Sequence, residues 1–323
     1  MDSGGSVAGL GLSTAAVWGA ADFAGGLTTK RAAPAFVVAV AHGFGLLLLY
    51  IAAFSLHAAS SGYSLYGFLA GIFCGLGLIA LYAALARGAM GLSAAVSGVL
   101  TAVFPVVYSW FQEGHPTPRR LAGFAIAALA IWLIAYTPDP KSPTQTSATT
   151  PENATARNNA TVQRIVIPSE AEEPALFSLS PPPLALAVLA GLSFGAMLIL
   201  MHLASSQGIL GPLISMRIAS ASSAALAGLV FWLTSRRRFS TGHGFPKGKF
   251  FLLALIAGTL DTFGNLLYLI AAHSARLDVT AVLASLYPAG TMLLAAWLLK
   301  ERATRSQLAG MVLALAAVAL IAA

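Results

Sequence analysis

Apolar residues in this chain are not alternated with polar ones; they run in blocks of about twenty, the length a helix needs to cross a bilayer core of ~30 Å. The blocks predict helices near residues 9–27, 36–54, 65–86, 93–111, 120–136, 184–204, 212–233, 250–272, 279–299 and 306–323. The expected fold is therefore an all-α membrane protein with ten transmembrane helices. The pattern fails once. Residues 137–183 are rich in Pro, Thr, Ser and Asn and end in Pro181-Pro182-Pro183, which reads as a disordered linker, with Arg164-Ile165-Val166-Ile167 as its one apolar stretch. It separates a first five-helix unit, 1–136, from a second, 184–323. The first block follows Met1-Asp2-Ser3-Gly4-Gly5 with no basic segment, so it is expected to stay as a helix and not to be removed as a signal peptide.

Composition supports lipid as the solvent. Of 323 residues 58% are hydrophobic and 9% charged, where a soluble domain has roughly 25% charged. Mean hydropathy is +0.81. So few charges cannot cover a water-facing surface, which excludes an ordinary soluble enzyme. The net charge of +7 sits in short clusters between apolar blocks and reads as membrane topology, with no nucleic-acid partner. The single Cys74 and the lack of Cys/His spacing predict neither a disulfide nor a metal. No nucleotide loop of the form GxxxxGK[ST] and no HExxH pair occurs, so no cofactor is expected. Gly191-Leu192-Ser193-Phe194-Gly195 has the GxSxG form but lies in an apolar helix, where a nucleophile elbow cannot form.

The two units are alike. An ungapped shift of 187 residues sets Gly71 on Gly258, Gly77 on Gly264, Ser93 on Thr280, Trp110 on Trp297 and Leu121-Ala122-Gly123 on Leu308-Ala309-Gly310. Nearer the N-terminus a shift of 176 sets Trp18-Gly19-Ala20 on Phe194-Gly195-Ala196. Five crossings per unit put the second unit into the membrane from the opposite side, giving two inverted repeats, the arrangement that lets a transporter alternate between two packings.

Trp18-Gly19, Ala21-Asp22-Phe23-Ala24-Gly25-Gly26, Leu286-Tyr287-Pro288 and Lys300-Glu301-Arg302-Ala303-Thr304 through Gly310 together resemble the EamA-type proteins of the drug/metabolite transporter superfamily. The first half departs from that pattern at Glu113-Gly114-His115-Pro116 and at Pro105, and the 137–183 linker is longer than in relatives. The resemblance implies a secondary active transporter in the plasma or inner membrane. It implies export of a small metabolite or amphipathic compound and no enzymatic activity. A membrane-embedded enzyme acting on a lipid or isoprenoid, or a non-transporting assembly subunit, are the alternatives; the former lacks an acid-rich or metal-binding motif. Two repeats in one chain make a monomer sufficient and leave a homodimer open.

An ionisable side chain at the bilayer centre costs about 2.5–3.5 kcal/mol on insertion scales, so the intramembrane acids are candidates for substrate or proton binding. Asp261, Asn265 and Tyr268 are spaced to share one helix face, and Asp22 has Trp18 one turn before it. Asp22 reads either as a cavity acid or as an interfacial one paired with Lys30 and Arg31. Arg217 is placed to neutralise an intramembrane acid or hold an anion, or to reach the interface. His42 and His202 read as packed histidines. Pro105 and Pro288 are expected to interrupt their helices, free the carbonyls of Thr101 and Ala284, and line a cavity. Loops after helices one, three, seven and nine hold eleven Lys/Arg against two in those after two, four, six and eight, which places the termini outside; the family resemblance places them inside.

Overall fold

The computed structural model describes residues 3–57, 62–86, 90–135, 182–234, 245–298 and 304–322. The 137–183 linker lies almost wholly outside the described residues, as does the Lys300-Glu301-Arg302 segment. All the described elements are helices: α1 (Ser3–Thr29), α2 (Pro34–Ser55), α3 (Leu65–Leu85), α4 (Met90–Glu113), α5 (Pro118–Ala135), α6 (Pro183–Ser205), α7 (Leu210–Thr234), α8 (Lys249–Ser274), α9 (Leu277–Ala284), α10 (Tyr287–Leu298) and α11 (Arg305–Ala322). Six of them, α1, α2, α3, α6, α7 and α8, are long and apolar enough to cross a membrane.

Local chemistry sets the boundaries. Pro34 and Pro183 open α2 and α6 at the position where a missing N–H is harmless. The Ser64 hydroxyl accepts from the Gly67 N–H at 2.9 Å and caps α3. Gly248 takes φ 56° just before α8, a turn that suits glycine. Within the helices Thr14, Thr28, Thr101 and Thr262 donate their hydroxyls to the carbonyl one turn back, which satisfies them without water.

The prolines behave differently from one another. Pro105 lies inside α4, which continues through it without a break. The ninth block divides instead. After Ala284 the chain makes a tight turn at Ser285-Leu286, with Leu286 N–H donating to Leu283 O at 3.3 Å, and α10 starts with Pro288 as its second residue. A proline ring clashes with the carbonyl four residues back, and at Pro288 the helix yields where at Pro105 it does not.

Glycines let backbones touch, and the touching pairs recur. Gly71 on α3 lies against the Met216 backbone of α7, and Gly258 on α8 lies against the Ala41 backbone of α2. Gly77 on α3 seats the Phe194 ring of α6, and Gly264 on α8 seats the Trp18 ring of α1. Gly195 on α6 meets Phe104 of α4, and Gly19 on α1 meets Thr291 of α10. In each case a Cβ would displace its neighbour. The segments before residue 138 and after 181 form one compact unit, in which α1 packs along α8, α3 along α6 and α5 along α11.

Candidate functional site

The core of the bundle holds an ion pair. Arg217 on α7 is completely buried, and its terminal nitrogen lies 2.7 Å from Asp261 Oδ2 on α8. His42 on α2, equally buried, brings Nε2 to 3.3 Å from the same oxygen. Among the described residues, neither the guanidinium nitrogens nor His42 has a partner at hydrogen-bonding angles, so the Arg217–Asp261 contact rests on charge attraction. Asn265, one turn after Asp261, donates its amide to the Asp261 backbone carbonyl at 2.7 Å and to Oδ2 at 3.2 Å. Gly45 leaves the room on α2 through which Arg217 and the Thr262 hydroxyl approach.

Beside this pair lies a narrow cavity of about 360 Å³ including its mouth. Trp18, Asp22, Cys74, Thr101, Asp261 and Tyr287 line it, with Leu78, Phe194 and Met197 as its apolar walls. Asp22 is half-buried, and its carboxylate makes no hydrogen bond or ion pair with any described residue. Lys30 and Arg31 form no ion pair with it. The Tyr287 hydroxyl lies 3.3 Å from Ser97 Oγ. Asp261 and Asp22 therefore differ in kind: the first is compensated by Arg217, the second is not.

The sites anticipated from sequence sort accordingly. Asp261, Asp22 and Trp18 meet at the cavity, and Arg217 stands behind Asp261. Tyr268 turns away: it is fully buried, donates its hydroxyl to Leu198 O at 3.2 Å and stacks on Trp18 with ring centroids 5.8 Å apart. Pro105 and Pro288 do not line the cavity; their neighbours Thr101 and Tyr287 do. His42, read as a packed histidine, is packed against a carboxylate. Its Nε2, Cys74 Sγ and an Asp261 oxygen lie within 4.8 Å of one another, a spacing that metals use. Arg217 already occupies the Asp261 oxygen, so a metal cation there would face a guanidinium, and the donor set does not fit a metal.

A second polar cluster was not anticipated. Glu113 ends α4, and its carboxylate accepts from Ser109 Oγ at 2.8 Å, lies 3.1 Å from His202 Nε2 on α6, and accepts from the Leu277 N–H that opens α9 at 3.2 Å. Arg276 donates to Asp278 at 3.0 Å and to the Glu113 and Gly114 carbonyls at 2.8 and 3.0 Å. Hydrogen bonding to Asp278 raises the already high guanidinium pKa, so Arg276 stays charged. The signal for this cluster was the departure at Glu113-Gly114-His115-Pro116: one of few acids outside the linker, at a helix end.

Residues 182–323 match the model of the EamA-like transporter family. This segment, somewhat under half of the chain, is similar to EamA-like transporters. The family lies within the drug/metabolite transporter superfamily, whose members are transporters. The EamA-like half supplies Phe194, Met197, Arg217, Asp261 and Tyr287, while Trp18, Asp22, His42, Cys74 and Thr101 come from the other half. A crystal structure described only as that of a protein is similar in fold over the whole length, at 14% identity and a TM-score of 0.67, covering 98% of this chain and 96% of that one. No curated protein matches the chain in sequence. With its several long apolar helices, the chain is a multi-pass membrane protein.

Proposed function

We propose that the protein is a secondary active transporter with ten spans in two inverted repeats, working by alternating access and driven by protons through Asp22. The glycine contacts support the repeats. Residues that align at a shift of 187 or 176 make equivalent contacts: Gly77 with Phe194 mirrors Gly264 with Trp18, and Gly195 with Phe104 mirrors Gly19 with Thr291. Helix 9 of this count is then α9 and α10 together. Such a symmetry relates two packings of similar energy, which is what exchange between inward-open and outward-open forms needs.

The observation that carries the function is the unpaired Asp22 carboxylate in the cavity shared by both halves. Charge at this depth is expensive, and binding a proton or a cationic group removes it. Asp261 is compensated by the Arg217 charge, with His42 packed against the same oxygen, which suits it to hold α2, α7 and α8 together while Asp22 exchanges its load. The cargo is a small metabolite or amphipathic compound, moved out across the cell membrane.

The test uses proteoliposomes enclosing a pH-sensitive dye and a panel of amino acids, nucleosides and amphipathic amines. Compounds that move protons through the wild-type protein are expected to move none through Asp22→Asn. Full proton movement in that variant overturns the reading.

A further inference from the structure

We infer that Glu113, His202, Arg276 and Asp278 form a latch that closes one end of the cavity and must part whenever that end opens. The inference rests on the transporter reading, since a latch has meaning only if the cavity opens. Its position follows from helix geometry. Thr101, Met197 and Asp261 face the cavity from α4, α6 and α8, and all three helices run on to the cluster. At ~1.5 Å per residue, Glu113 lies about 18 Å beyond Thr101 and His202 about 7 Å beyond Met197. The three walls of the cavity are thus tied together at the same end.

The ties are dense, and they join elements instead of stabilising each one alone. Arg276 reaches across from the turn between α8 and α9 to two carbonyls at the end of α4. The Glu113 side chain reaches back to the first N–H of α9 and across to His202 of α6. An acid at a helix N-terminus and carbonyls from a helix C-terminus are each matched by charge of the opposite sign. Below the cluster, Tyr268 on α8 donates to Leu198 O on α6, a second tie in the same direction. Separating α4 from the α8–α9 turn breaks every contact of Arg276 except that with Asp278. Arg276 and the Glu113 side chain both span the seam, and Arg276 makes the shorter contacts across it, so its loss is the change chosen to loosen it.

Cys74 provides the readout, because it is the only cysteine in the chain and lines the cavity. The full-length protein in sealed vesicles of each orientation is treated with a membrane-impermeant maleimide, with Cys74→Ser as background. Arg276→Gln is expected to raise the labelling rate from one side by at least about fivefold while the rate from the other side falls or holds. Arg276→Lys is expected to lie between it and wild type. Glu113→Gln with Arg276→Gln is expected to raise the rate from that side more than either single change, because the Arg276 contacts to the α4 carbonyls and the Glu113 contacts to Leu277 and His202 are separate ties across the same seam. Labelling that does not change, or that rises equally from both sides, overturns the latch. Should a variant lose its fold, seen as aggregation on gel filtration, Arg276→Lys carries the test. Proton movement in Asp22→Asn is read without maleimide, so the latch and the coupling reading fail separately.

Discussion

Among the described residues, Arg217 is the largest side chain that is fully buried. It is long, charged and fully enclosed by apolar helices, and Asp261 is its counter-ion. Removing one partner of a buried pair leaves the other uncompensated, at a cost of about 3–5 kcal/mol. Arg217→Ala and Asp261→Ala are therefore each expected to lower the thermal unfolding midpoint sharply in detergent. Arg217→Met with Asp261→Leu is expected to recover a large part of that loss, since no charge is then stranded. Tyr268→Phe tests a smaller contribution: it keeps the stack on Trp18 and loses the hydrogen bond to Leu198, for about 1 kcal/mol. At this scale the sequence was legible where one residue's depth implied a need for a partner, as for Asp261 and Arg217. It was not legible where partners are far apart in the chain: nothing local at His42 announces Asp261, and nothing at Glu113 announces Arg276.

Helices were the most readable layer, because lipid forces every backbone polar group to be satisfied within its own segment. Block length alone brings α2 to Pro34–Ser55 and α6 to Pro183–Ser205, within two residues of the spans expected from sequence. The division of the ninth block shows the limit. A proline permits a break, but whether the helix takes it depends on what surrounds it; α4 absorbs Pro105 while the turn at Ser285-Leu286 precedes Pro288. Close helix approach is where substitution is least tolerated. Gly258→Leu would drive a side chain into the Ala41 backbone and Gly71→Leu into that of Met216. Both variants are expected to elute as aggregates on gel filtration, whereas Gly43→Ala, which meets nothing within 4 Å, is expected to elute as wild type.

For the whole molecule, the described residues before 138 and after 181 share one compact unit. Deleting 141–176 is accordingly expected to leave proton movement in proteoliposomes unchanged; its loss would instead favour a role for the linker in an assembly subunit. The two halves also differ in what they bring to the cavity: the uncompensated acid comes from the first and the ion pair chiefly from the second.

The pair of Arg217 and Asp261 has a further consequence for how the chain is made. Synthesis runs from α7 to α8, so the arginine reaches the lipid before its counter-ion exists. Until then α7 bears an insertion penalty of about 2.5–3.5 kcal/mol, and it is less apolar than α6. The order of the chain thus makes α7 the helix that gains most from its successor: only when α8 follows does the buried guanidinium meet its carboxylate.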